Sequence, residues 1–217
     1  INSYMRFRAV ERQLAKHPTK LKLFHEAIQE MIDNGVLVPS LENTDAIKNE
    51  GYYCSIFPLF KMARQTTKTR VIFDFSSKQK GQISLNDCIE PSVLNISNLI
   101  GVIFQARLGK LLFLSDISKF FLKIGRYTED LKFQKILYRS NPEGRLLTYY
   151  VMSLPFGESC SPSESTAMLH ILAQFFKEIA PLLQNILLRK CYVDDLHSAG
   201  NCQKLLVQEY LESKFFL

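Results

Sequence analysis

Two apolar runs in this chain each end on aspartate, and that coincidence constrains the fold more than any other feature. Leu111–Leu114 leads through Ser115 to Asp116, and Ile186–Leu188 opens the stretch Ile186–Tyr192 that leads through Val193 to Asp194 and Asp195. Aspartate is among the poorest strand residues, whereas turns favour it. Each run therefore reads as a core strand stopping on acid, with Leu196–Ala199 returning as the partner of the second. Taken alone, Asp-Asp between strands is also what a tight turn contains, and a lone Asp after a strand is what a helix cap contains. If the strands that carry them are neighbours in one small sheet, they gather like charges that repel each other unless cations intervene.

The rest of the chain reads as α+β, with helices packed on one face of an antiparallel sheet. Helices are expected over Met5–Ala15 and Leu21–Asn34. The second carries Leu21, Phe24, His25, Ile28, Met31 and Ile32 on one face, with Thr19 as its cap and Gly35 as its left-handed stop. Tyr52–Lys61 and Thr69–Phe75 read as one hairpin, and Leu131–Tyr138 with Arg145–Met152 as another. Gly81–Asp87 reads as a turn and Asn95–Leu108 as an apolar helix. A long helix starts near Ser161, with Pro162 at its first position, and a last one is capped by Asn201.

Acids at strand ends suit magnesium or manganese, which prefer oxygen ligands. Two such ions about 3.5–4 Å apart clamp the attacking and leaving oxygens of a phosphoryl transfer. The first hairpin offers the complementary charge. Between Lys61 and Lys80, Lys61, Arg64, Lys68, Arg70, Lys78 and Lys80 stand against one carboxylate, Asp74. Lys61, Lys68 and Arg70 are the cations available for a triphosphate, and Arg70 flanks a strand, which suits a fixed fork for phosphate oxygens. A solvated hairpin tip is the alternative reading of this segment.

Composition narrows the classes. Of 217 residues, 47% are hydrophobic and 22% charged, which excludes a disordered or fibrous chain. A formal charge of +6 favours polyanionic partners. Five cysteines without a C-x-x-C pair argue for free thiols rather than a zinc site, and the four scattered histidines read as surface or satisfied. No apolar run is long enough for a membrane span. The chain begins at Ile1 and ends on Phe215-Phe216-Leu217 within a helical pattern, so it reads as a piece of a longer polypeptide.

Four motifs in order carry a specific resemblance. They are Lys68-Thr69-Arg70-Val71-Ile72-Phe73-Asp74 with Ser84-Leu85-Asn86-Asp87, then Leu114-Ser115-Asp116-Ile117-Ser118-Lys119-Phe120-Phe121. Leu154-Pro155-Phe156-Gly157 with Ser161-Pro162 follows, and Tyr192-Val193-Asp194-Asp195 closes the set. The chain resembles the reverse transcriptase domain of retroelements, most closely that of Pao/BEL-type long-terminal-repeat retrotransposons. Phe156, where many reverse transcriptases carry Gln, and Lys119 both suit that branch, whereas Tyr53–Pro58 departs from its usual His-containing stretch.

The resemblance implies a right-hand polymerase: fingers with the N-terminal helices over about 1–110, and an incomplete palm over 111–217, without a thumb. It implies RNA-directed DNA synthesis from deoxynucleoside triphosphates on a primed RNA or DNA template. Asp116, Asp194, Asp195 and the backbone carbonyl of Ile117 would hold two Mg²⁺ (or Mn²⁺) ions. Arg70 and a fingers lysine, Lys61 or Lys68, would hold the triphosphate. Phe156 and Gly157 would lie near the nucleotide, and Tyr192 and Val193 against the primer end. Phe121 matches the aromatic residue that blocks a ribose 2′-hydroxyl, although residue type alone also fits a core ring. Kinship implies further partners in a polyprotein (thumb, ribonuclease H, integrase), no membrane, and action in cytoplasmic particles. A catalytically silent, transposon-derived remnant is the alternative.

Overall fold

The computed structural model describes residues 2–40, 51–61, 69–90 and 97–217. In chain order the first elements are α1 (Asn2–Leu14), α2 (Pro18–Asp33), β1 (Leu37–Pro39), β2 (Tyr53–Phe60), β3 (Thr69–Asp74) and α3 (Leu85–Cys88). Then come α4 (Leu99–Arg107), β4 (Leu111–Asp116), α5 (Phe120–Lys123), a 3-10 segment (Thr128–Phe133), β5 (Lys135–Tyr138) and β6 (Leu147–Val151). The last are α6 (Ser161–Phe175), α7 (Pro181–Arg189), β7 (Cys191–Tyr192), β8 (Asp195–Gly200) and α8 (Gln203–Phe216). The fold is α+β, in two units: 1–90 with 121–159, and 91–120 with 160–217.

In the first unit a five-stranded sheet runs β1-β6-β5-β2-β3. The two expected hairpins form, with Phe60 opposite Thr69 in one and Tyr138 opposite Leu147 in the other, but Leu131–Phe133, expected in the second, belong to the 3-10 segment and its strand starts at Lys135. They join through a parallel pairing, Cys54 with Ile136, so the sheet is mixed rather than antiparallel throughout. Such a pairing joins segments remote in sequence and leaves no local signature. The same holds for β1, which pairs Leu37 with Val151.

Helix α2 buries the face its spacing announces: Phe24 and Ile28 lie in the core, with Leu21, Met31 and Ile32 packed against it. Full burial of each large apolar side chain stabilises by about 1.5–3 kcal/mol. His25 shares a 2.7 Å hydrogen bond with the Tyr138 hydroxyl. Gly35 ends the helix at φ +70°, as expected, and the Val36 N–H reaches back to the Met31 carbonyl. The start differs: Pro18 takes the first helical position after His17, and Thr19 is not the cap.

The second unit holds the antiparallel sheet β4-β8-β7. Here the expected strand Ile186–Tyr192 shrinks to Cys191–Tyr192, because 181–189 is helical with Leu183, Ile186 and Leu187 buried. Pro181 starts that helix, and the i, i+3, i+4 spacing of the three residues is helical; a short apolar run alone does not distinguish the two periods. Asn201 does not cap α8 with its side chain. Its Oδ1 accepts the Lys110 N–H at 3.0 Å instead. Asn98 does cap α4, accepting the N–H groups of Ile100 and Gly101. Among the described residues no helix is long and apolar enough to cross a membrane.

Candidate active site

Strands β4 and β8 align so that Asp116 is the register partner of Asp195. Directly opposed residues hold their Cβ atoms about 4.5–5.5 Å apart, and like charges in that relation destabilise a sheet. Asp194 occupies the two-residue turn between β7 and β8, where Tyr192 pairs with Asp195. The Ile117 N–H donates to the Asp194 carbonyl at 3.0 Å, tying the turn to the residue after Asp116. The three acids therefore meet at one end of one sheet, but the strand that brings Asp195 to Asp116 is the return strand β8, which starts on the acid, and not the expected strand before Asp194.

Val193 sits at φ +59°. Positive φ at the first central residue alone is the sign pattern of a type II′ turn, where glycine is the ordinary occupant. A β-branched residue there is a genuine outlier, and strain of this kind concentrates at functional sites. Lys119, three residues past Asp116, is the other non-glycine residue at positive φ among the described residues.

The charges feel one another. The Asp195 carboxyl is held above its ordinary value by burial and by the negative charges of Asp194 and Asp116. The Cys191 thiol is pushed up to about 12 by burial and by Asp194 and Asp195. Among the described residues no three His, Cys, Asp or Glu side chains form a ready-made metal cage. Mg²⁺ does not require one: it is usually held by one or two carboxylates, waters and substrate phosphates. The all-oxygen donor set, which no cation among the described residues pairs with, fits such an ion. The Ile117 carbonyl accepts the Phe120 N–H at 3.2 Å, and a carbonyl oxygen has a second lone pair for another partner.

Behind the acids lies a polar triangle that sequence reading did not single out. Lys190 Nζ donates to Ser198 Oγ and to Glu209 Oε1, each at 2.8 Å, and Ser198 Oγ donates to Glu209 Oε2 at 2.6 Å. It joins the end of α7, the middle of β8 and α8. The neighbouring His197, expected at the surface or satisfied, is instead buried, and its Nε2 has no hydrogen-bond partner among the described residues. Burial, then the Lys190 charge, lowers its pKa.

The remaining candidates belong to the first unit. Arg70 lies on edge strand β3 opposite Leu59, and Lys61 directly follows β2, so both stand near the same end of one hairpin. Both are exposed. Asp74, the carboxylate among these cations, is taken by Arg6 at 2.7 Å. Lys68 lies outside the described residues. Phe121 is buried and packs on Phe156, with ring centroids 4.6 Å apart, while Phe156 is 48% exposed. Gly157 has φ +111°, and a Cβ there would lie 2.5 Å from the Phe73 carbonyl oxygen, so only glycine fits. Tyr192 and Val193, in the second unit, are half-buried.

The sequence matches no protein-family model and no curated protein. Its fold is similar to solved reverse transcriptases. Against native prototype foamy virus protease-reverse transcriptase the TM-score is 0.59 at 19% identity, over 86% of this chain and 20% of that one. Against a mutant of the same viral protein it is 0.63 at 19% identity, over 92% and 22%. Against the foamy viral enzyme solved with an RNA/DNA hybrid it is 0.58 at 16% identity, over 88% and 21%. The chain thus has a reverse transcriptase-like fold and spans about a fifth of the length of these proteins.

Proposed function

We propose that this chain is the RNA-directed DNA polymerase domain of a Pao/BEL-type retrotransposon polyprotein, comprising fingers (about 1–110, interleaved with the palm) and palm (111–217). One observation carries the reading: within a reverse transcriptase-like fold, Asp116 lies opposite Asp195 beside a strained Val193-Asp194 turn. A sheet that opposes two aspartates and adds a third keeps an arrangement costly to folding, and divalent-ion chemistry gives a reason for it.

Asp116, Asp194, Asp195 and the Ile117 carbonyl would hold two Mg²⁺ ions, or Mn²⁺. When bound, these lower the pKa of the primer 3′-hydroxyl and neutralise charge on the departing pyrophosphate. The aspartates act as anionic scaffold. Arg70, with Lys61 or Lys68, binds the triphosphate through fixed N–H donors. Phe121, backed by Phe156, excludes a 2′-hydroxyl by bulk, and Gly157 lets the backbone approach the nucleotide. Tyr192 and Val193 lie against the primer end. Partners are a primed RNA or DNA template, deoxynucleoside triphosphates and further polyprotein domains, in cytoplasmic particles. The hybrid is gripped by shape and backbone rather than by sequence.

Primer extension on a poly(rA) template with Mg²⁺, using a chain that includes the following polyprotein segment, tests this. Extension that Asp194→Asn abolishes supports it. Extension that survives Asp194→Asn refutes the site, and no extension by the unsubstituted protein favours the silent remnant.

A further inference from the structure

The Ser84-Leu85-Asn86-Asp87 motif has no part in the chemistry above, yet its side chains are tightly engaged. Ser84 Oγ accepts the Asp87 N–H and the Asp87 carboxylate accepts the Ser84 N–H, a reciprocal cap on the single turn α3. Lys78 Nζ adds a 2.6 Å bond to Asp87. Lys78 and then the Ser84 donors hold the Asp87 carboxyl down to about 2. This cap fixes Asn86, the second of the two residues between its ends.

Asn86 in turn binds the Phe156–Ser159 segment at two points. Its Nδ2 donates to the Gly157 carbonyl at 2.9 Å and its Oδ1 accepts the Ser159 N–H at 3.1 Å. One amide thus satisfies an acceptor and a donor two residues apart, as a neighbouring strand would. Nδ2 also donates to Ser76 Oγ at 2.9 Å, and the Asn86 N–H donates to the Phe75 carbonyl. Between the two clamped positions, Glu158 turns inward to Arg126 and Gln134, with its side chain 2% exposed. The clamped segment carries Phe156, which packs on Phe121.

The structure assigns Asn86 as a positioning residue: through the Gly157 carbonyl and the Ser159 N–H it sets the segment that presents Phe156 and Gly157 to the nucleotide. The assignment rests on the polymerase reading for its functional consequence and on the hydrogen bonds for its structural one. Asn86 touches no reacting atom, so its loss raises the KM for deoxynucleotide rather than lowering kcat.

The test is Asn86→Ala in the same primer-extending protein, with steady-state kinetics and amide hydrogen exchange measured side by side. The expected result is a deoxynucleotide KM raised about 10- to 100-fold, the scale on which small misplacements act. Deoxy-over-ribonucleotide selection should fall and kcat change little, with faster exchange at Ser159. Asn86→Asp, which keeps the acceptor for the Ser159 N–H but sets an anion against the Gly157 carbonyl, should restore protection at Ser159 and not the KM. Glu11→Ala is the stability control: it breaks the paired bonds to Arg139 in the same unit and touches none of these groups, so it lowers the melting temperature without moving the KM. Unchanged KM and selectivity in Asn86→Ala, or an equal KM rise in Glu11→Ala, overturns the assignment. Failure of the polymerase reading shows separately, as no extension by the unsubstituted protein. Ser159 exchange then decides the clamp by itself, and unaltered protection overturns it.

Discussion

Glu209→Ala probes the support behind the acidic turn. The Glu209 side chain is only 4% exposed and accepts from Lys190 at 2.8 Å and from Ser198 at 2.6 Å. Truncation removes both charge-assisted bonds and takes the acceptor from the ammonium of Lys190, a side chain that is 21% exposed. Breaking one side of a buried ion pair costs about 3–5 kcal/mol. The residual water access of Lys190 places this case near the lower end, about 3 kcal/mol. For a chain of this size that lowers the melting temperature by about 6–12 °C. Against a typical total of about 5–15 kcal/mol the loss is large. Glu209→Gln keeps the shape and one acceptor, so it should lose less than Glu209→Ala. The assay is urea denaturation of wild type, Glu209→Ala, Lys190→Met and the double variant. The cycle should show the two losses strongly non-additive, because the second substitution removes an ammonium already deprived of its partner. A loss under about 1 kcal/mol for Glu209→Ala, or simple additivity, refutes the idea that this triangle braces the turn.

Asp195→Asn should stabilise the fold at neutral pH. The folded pKa of Asp195 lies above its ordinary 3.8, so its contribution is fully present below that value and is lost as pH rises through the raised pKa. Denaturation midpoints at pH 3.5 and pH 7 should therefore differ less in the variant; an unchanged difference contradicts the crowding of charge. Val193→Gly relieves the left-handed backbone, worth about 1–2 kcal/mol, against roughly 0.5–1 kcal/mol of added chain entropy. Its melting temperature should at least equal that of wild type, and a drop of several degrees counts against the strain. Arg70→Ala should weaken deoxynucleotide use far more than primer–template binding, as read by KM and by filter binding. Equal losses remove its triphosphate role.

Where local sequence speaks, it spoke correctly about much of this molecule. Alternating and apolar runs announce the β2–β3 and β5–β6 hairpins, helical spacing announces α2, and Gly35 announces its end. That the acids of Asp116 and Asp194-Asp195 could meet was legible from their places beside apolar runs, whereas the pairing of β4 with the return strand β8 that brings Asp116 to Asp195 was not. What escaped is of two kinds. Ile186–Leu188 is an apolar run too short to distinguish helix from strand, and Pro181 was the signal that could have settled it. The pairings of Leu37 with Val151 and of Cys54 with Ile136, the Lys190–Ser198–Glu209 triangle and the Asn86 clamp all join residues from separate elements. Their partners are chosen by tertiary packing, and no neighbour in sequence names them. The positive φ of Val193 is likewise invisible beforehand, since valine is the last residue one would place there.

Calorimetric titration of Mn²⁺ with a deoxynucleoside triphosphate present, on wild type and on Asp116→Asn and Asp194→Asn, tests the central claim most directly. The wild-type chain should bind divalent ion beyond the binding of the nucleotide alone, and both variants should lose that binding. Binding that is unaffected by either substitution would show that these carboxylates do not share an ion.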